Sequence, residues 1–274
     1  METSPLLFAA IVGLAFLCEY VDSSLGMGYG TTLTPLLLLM GFRPLQVVPC
    51  VLFSEFITGL VAGGFHHLFG NIRLDFGPDE ELLKRRLRGW GYIPKSLDSK
   101  MIFVFALCGV LGVMIAVSFA VSIPKTALNT YIGVMVLVIG VVILWRRNRD
   151  FTFSWKKVVG LGLLSAFNKG MSGGGYGPLV AGGQILTGRD TKSAIGITSF
   201  AEGLVSLVGV LVYLAARGNL HWALALPLVI GAVASTPLAA FTTKKIGTGQ
   251  LKLVVGILVT VLGLVTLLKT YVIR

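Results

Sequence analysis

The chain has 274 residues, of which 55% are hydrophobic, only 13% are charged and 35 are glycine. A soluble domain carries roughly 25% charged residues, so an ordinary cytosolic enzyme, a nucleic-acid-binding domain and a disordered chain are excluded. The apolar surplus needs lipid as its solvent, and the chain reads as an all-α polytopic membrane protein. Its net charge is +11, and placement matters more than the total: seven Lys and Arg lie between Arg73 and Lys100, five between Arg146 and Lys157, with Lys244, Lys245 and Lys252 beyond. These mark short segments between apolar runs, the pattern of cytoplasmic loops under the positive-inside rule, and call for no nucleic-acid partner.

The N-terminus, METSPLLFAAIVG, has no Lys or Arg ahead of its apolar run, so the first segment is expected to stay in the mature protein. Residues 5–18 are apolar and stop at Glu19 and Asp22; a glycine-rich stretch follows, and 31–40 are apolar again. Residues 46–69 come next, then the charged loop 70–100, whose residues 79–88 (DEELLKRRLR) read as a short amphipathic surface helix or a solvated loop helix. Further apolar segments cover 101–121, 126–145, 193–216, 222–241 and 251–269. Each has roughly the 20 residues that cross a ~30 Å hydrocarbon core. Residues 158–167 stop at Asn168-Lys169, and 178–187 follow a second glycine-rich stretch; ten helical residues rise only ~15 Å, half of the core. Cys18, Cys50 and Cys108 sit in apolar runs without paired spacing and read as reduced, buried small hydrophobes. His66 and His67 lie near the membrane edge without further ligands, which favours interfacial packing over metal. Trp90, Trp145, Trp155 and Trp222 fall in loops or at span ends, as aromatic-belt residues do.

The two interrupted regions match at a constant offset of 147. Gly13 falls on Gly160, Leu14 on Leu161, Leu17 on Leu164, Gly26, Gly28, Tyr29 and Gly30 on Gly173, Gly175, Tyr176 and Gly177, and Glu55 on Glu202. Later the offset drops to about 122, pairing Gly109 with Gly231 and Thr126 with Thr248, because only the first half has the charged loop. This is an internal repeat, with halves 1–147 and 148–274 forming one transport domain. In the first half the basic loop precedes the third segment; in the second it follows the counterpart. The halves are therefore expected to be inverted, each with about three full spans plus a broken or re-entrant helical hairpin at its glycine motif.

Irregular backbone at membrane depth is tolerated only where it is buried in protein or lines a cavity. A helix opening after each break, near Thr31 or Pro178, would aim amide donors and a positive dipole end at it, which suits an anion. The expected substrate-binding set is Lys169, Asn168, Ser172, Gly173, Gly174, Gly175 and Tyr176 from one break, with Ser23, Ser24, Gly26, Gly28 and Tyr29 from the other. Lys169 supplies positive charge. That charge is expected to serve an anionic substrate; the alternatives are that Asp22, at its repeat position, neutralises it as a structural pair, or pairs with it and releases it when substrate arrives. Glu55 and Glu202 are symmetry mates inside spans, where ionisable residues are functional candidates by default. Proton coupling and a purely structural carboxyl–carbonyl contact are both open for them; Glu19 and Asp22 join them as coupling or gating candidates. No metal or cofactor is implied.

These glycine motifs, Gly26–Gly30 followed by Pro35-Leu36-Leu37 and Gly173–Gly177 followed by Pro178-Leu179, resemble those of the sulfite exporter TauE/SafE-like family, also called toluene sulfonate uptake permeases. The first copy departs from the pattern at Met27, Tyr29 and Pro49-Cys50-Val51. The resemblance implies a multi-pass permease of the cytoplasmic membrane for small sulfur-containing anions such as sulfite, sulfonates or sulfoacetate, as a monomer or homodimer. An anion channel, or a permease for a non-sulfur carboxylate, is the alternative. There is no phosphate-binding loop ending in Gly-Lys-Ser/Thr, no His-Glu-x-x-His and no Gly-x-Ser-x-Gly, so neither ATP drive nor enzymatic activity is expected.

Overall fold

The structure, a computed structural model, describes residues 5–78, 92–119, 125–145, 153–172, 176–217 and 219–272. Among these residues ten helices form: α1 (Pro5–Leu25), α2 (Tyr29–Leu39), α3 (Pro44–Leu68), α4 (Leu97–Phe119), α5 (Lys125–Trp145), α6 (Trp155–Ser172), α7 (Tyr176–Leu186), α8 (Thr191–Arg217), α9 (Trp222–Lys245) and α10 (Thr248–Tyr271). Between α3 and α4, strands β1 (Phe76–Pro78) and β2 (Tyr92–Pro94) pair antiparallel, with Gly77 opposite Ile93. The segment 79–88 and Trp90 lie outside the described residues. Trp145, Trp155 and Trp222 close or open their helices with exposed rings.

Five helices, α1, α3, α8, α9 and α10, are long and apolar enough among the described residues to cross a membrane. Outward faces stay greasy, on these helices and on α5: Val254, Ile257, Val261, Leu264 and Leu268 are exposed along α10, and Val134, Val138 and Val141 along α5. A helical stripe of exposed aliphatic residues is unfavourable in water and ordinary in lipid.

The expected half-length helices at 5–18 and 158–167 are longer in the structure. Helix α1 continues through Glu19 and Asp22, and α6 through Asn168 and Lys169. Charged side chains do not stop a helix when partners inside the bundle satisfy them; glycine does. Only α2 and α7, of 11 residues each, rise ~16 Å and fall short of the core.

The main helix packings join one half of the sequence to the other: α1 lies on α9, α6 on α4, α3 on α8 and α5 on α10. Exchanging the halves maps α1–α9 onto α6–α4 and leaves α3–α8 and α5–α10 as they are. The self-paired helices run antiparallel. Ser193 at the start of α8 donates to Asn71 O beyond the end of α3, and Cys50 near the start of α3 donates to His221 O beyond the end of α8. Thr130 in the first turns of α5 bonds Tyr271 at the end of α10. Glycines permit the close crossings: a Cβ on Gly59 of α3 would stand 2.7 Å from Gly203 Cα of α8.

At one end of the bundle three connections are tied together. Arg189, after α7, makes an ion pair with Asp98 in the first turn of α4, Asp98 also accepts from the Arg73 amide, and Lys192 donates to Lys244 O.

Candidate functional site

The first helix break follows from backbone chemistry. Gly26 and Gly28 have φ of 79° and 128°, a region closed to most side chains, and they turn the chain from α1 into α2. The carbonyls released at the end of α1 find partners from elsewhere. His66 Nε2 donates to Ser23 O at 2.9 Å while Asn71 donates to His66 Nδ1 and to Ala240 O. Thr243 donates to Ser24 O at 3.1 Å. His66 is therefore not an interfacial side chain but a fully buried one that splices the break, as the lack of water demands. Helix α2 opens at Tyr29 rather than Thr31, and α7 at Tyr176 rather than Pro178.

The expectation that the opening of α2 offers unpaired amides is corrected at its first donor. The Tyr29 amide donates to Asp22 Oδ1 at 3.0 Å, so the chain supplies its own acceptor to that helix end. Ser23 donates to Glu19 at 2.6 Å, Ser24 to Val21 O, and the Tyr29 hydroxyl bonds Ser54 at 2.7 Å. These residues of the first break are engaged by the protein.

Across from them, α6 ends at Ser172, whose side chain, like Gly173, Gly174 and Gly175, lies outside the described residues. Asn168 and Lys169 are buried in its last turns. Gly177, in the first turn of α7, packs directly on the first break: a Cβ there would meet Gly26 O at 2.7 Å and Met27 Cα at 2.9 Å. The two interrupted elements thus touch.

Lys169 pairs with neither Asp22 nor solvent. Its Nζ donates to Glu55 Oε2 at 2.9 Å and to Glu202 Oε1 at 2.8 Å, and Ser206 also donates to Glu55. The alternative in which Asp22 neutralises Lys169 as a structural pair is not what the structure shows. Glu55 and Glu202 meet because α3 and α8 cross at Gly59 and Gly203, close to both. Lys169 also stands 5.5 Å from the centroid of the Tyr176 ring, within cation–π range. Charge-assisted bonds of this length are strong, and removing one partner of a buried ion pair costs about 3–5 kcal/mol.

Two small cavities adjoin this ion triad. One is lined by Glu19, Asp22, Glu55, Thr58, Gly59, Ser199 and Glu202. The other is lined by Asp22, Gly28, Gly30, Thr31, Glu55, Tyr176, Gly177, Pro178 and Glu202. Each admits roughly one water molecule. Glu19 and Asp22 thus share a cavity wall with Glu55 and Glu202, the two carboxyl groups that hold Lys169. Thr58, Ser199 and Ser206 were not singled out from sequence. Their signal was there: Thr58 is three residues after Glu55, and Ser199 and Ser206 are three before and four after Glu202, the spacings of one helix face. Among the described residues no group of three or more His, Cys, Asp or Glu side chains has the geometry to hold a metal.

A lipid-facing bundle with buried ionisable residues at its interrupted helices is a multi-pass membrane transporter by class, and two comparisons agree. The model of the family described as "Sulfite exporter TauE/SafE" matches residues 87–266. A Bacillus subtilis (strain 168) protein described as "Probable membrane transporter protein YtnM" is 23% identical over 280 residues, covering 97% of this chain and 84% of that protein. With well over half of its length matched, the chain belongs to the TauE/SafE family.

Proposed function

We propose that the protein is a secondary transporter of small sulfur-containing anions, such as sulfite, sulfonates or sulfoacetate, working by alternating access around the Glu55–Lys169–Glu202 triad. The halves 1–147 and 148–274 act as inverted repeats of one transport domain in the cytoplasmic membrane. Supporting this are the matched helix pairings, the antiparallel packing of equivalent helices α3 with α8 and α5 with α10, and the basic connections gathered at one end.

The observation that carries the reading is the single buried ammonium shared by two carboxylates where the broken helices meet. With both carboxylates ionised the triad carries a net negative charge that repels an anion. A proton delivered to Glu55 or Glu202 cancels that charge, and the third N–H of the Lys169 ammonium can then go to a substrate oxygen. Glu19 and Asp22 stand beside the same cavities as further proton sites. An anion of several heavy atoms does not fit a space the size of one water, so binding requires the halves to part, which is the movement alternating access supplies.

The purified protein should bind sulfite, sulfonates or sulfoacetate in preference to sulfate and carboxylates. Reconstituted in liposomes, it should accumulate the bound anion in response to an imposed pH gradient. Glu202→Gln leaves Lys169 one permanently neutral neighbour, so uptake should lose its dependence on the gradient. A preference for carboxylates would overturn the substrate assignment, and gradient-driven uptake preserved in Glu202→Gln would remove Glu202 from the coupling.

A further inference from the structure

The two helix breaks carry the same tyrosine, and its hydroxyl is treated differently in each. In the first half, Tyr29 bonds Ser54 at 2.7 Å. The offset of 147 places Tyr29 on Tyr176 and Ser54 on Ala201. Ala201 is fully buried in the same apolar cluster as Tyr176 and has no polar atom to offer. The Tyr176 hydroxyl, on a residue 1% exposed, has no hydrogen-bond partner among the described residues. A structural tyrosine in that position would be better off as phenylalanine, since a buried unsatisfied hydroxyl costs stability. Yet Tyr176 lines the cavity shared with Gly28, Thr31 and Glu202, and the Lys169 ammonium lies over its ring. Glu202 lines the same cavity, and its Oε2 has no hydrogen-bond partner among the described residues. Among the described residues the Tyr176 hydroxyl is unpaired where that of Tyr29 is bonded.

We infer that the Tyr176 hydroxyl is a substrate-binding donor held in reserve for the anion: it gives its hydrogen to one oxygen of an oxyanion whose other oxygen faces Lys169, and Ala201 keeps that donor free. The inference rests on the anion-transport reading above. An anion with two or more acceptor oxygens on one centre, as in a sulfonate or sulfite, satisfies the ammonium and the hydroxyl together. It also relieves the only strain that the Tyr176 hydroxyl bears.

Calorimetric titration of the purified protein with sulfite and with sulfoacetate tests this in wild type, Tyr176→Phe and Ala201→Ser. Tyr176→Phe should bind about tenfold more weakly or worse, the scale of a lost bond to an anion, while its ligand-free melting temperature stays level or rises. Ala201→Ser gives Tyr176 the partner that Tyr29 already has, so binding should weaken severalfold although the tyrosine is intact. Tyr176→Phe binding within twofold of wild type overturns the inference, as does a lower ligand-free melting temperature, which marks a structural hydroxyl. Undiminished binding in Ala201→Ser overturns the claim that the difference between the halves sets the donor free. Wild-type protein that binds neither anion removes the anion reading and this inference together, whereas wild-type binding that survives in Tyr176→Phe removes the inference alone.

Discussion

The two helix breaks share glycines and a tyrosine but differ in the residue one helical turn ahead of them, Asp22 in the first and Lys169 in the second. Asp22 turns onto its own break and caps the Tyr29 amide. Lys169 reaches across to α3 and α8 and holds Glu55 and Glu202. The first break is closed further by Ser54, His66 and Thr243, each bonded to it. The first break thus closes on itself, while in the second half the residue at the same position carries a buried ammonium across to α3 and α8. Glycine makes the interruption; the side chain before it decides what the interruption is for.

The largest effect expected from disturbing that difference comes from the triad. Lys169→Met leaves Glu55 and Glu202 facing each other without a cation and should destabilise the protein by about 3–5 kcal/mol. Combining it with Glu55→Gln and Glu202→Gln removes the stranded charges and should recover most of the loss. Thermal melting in detergent reads both. A triple variant as unstable as Lys169→Met would mean that packing of the lysine stem, rather than charge, holds α6 to α3 and α8.

A smaller effect tests whether the breaks support each other. Gly177→Ala would push a methyl group against Gly26 O and Met27 Cα, both backbone-anchored atoms, and should cost about 1–3 kcal/mol of overpacking. Gly160→Ala, where a Cβ meets nothing within 4 Å, is the control and should cost nothing, since alanine is the better helix former. Equal melting temperatures for the two variants would show that the breaks do not bear on one another.

Much of this arrangement was legible before any coordinates. The repeated Gly-x-Gly-Tyr-Gly motif marked both interruptions, and lone charges in apolar runs marked Lys169, Glu55 and Glu202. Two things were not legible, for physical reasons. A charge within an apolar run predicts a helix end at Glu19 or Asn168-Lys169, and only partners inside the bundle let the helix continue. The partners of Lys169 come from residues 114 and 33 positions away, which no local pattern reveals. Repeat equivalence also pointed Lys169 at Asp22. Symmetry mates touch only where their helices pack on each other, as α3 and α8 do through Gly59 and Gly203. Helices α1 and α6 pack instead on α9 and α4, so Asp22 and Lys169 are equivalent without being paired. Aspartate within reach of its own helix opening was the better reading, because a short carboxylate side chain is a good cap and a lysine is not.

The smallest and most discriminating change converts the first tyrosine into the second. Ser54→Ala copies Ala201 into the first half and strips the Tyr29 hydroxyl of its partner. A buried hydroxyl so orphaned should cost about 1–2 kcal/mol, visible as a lowered melting temperature. Adding Tyr29→Phe removes the orphan and should return most of that stability. The pair of measurements separates the hydrogen bond from the volume of the serine, since both variants lack the same oxygen and only one retains an unpaired hydroxyl. Were Ser54→Ala and the double variant to melt together below wild type, the Tyr29–Ser54 contact would be packing alone. The contrast with Tyr176 would then lose its energetic basis, because an unpaired hydroxyl would carry no penalty in either half and need no ligand to explain it.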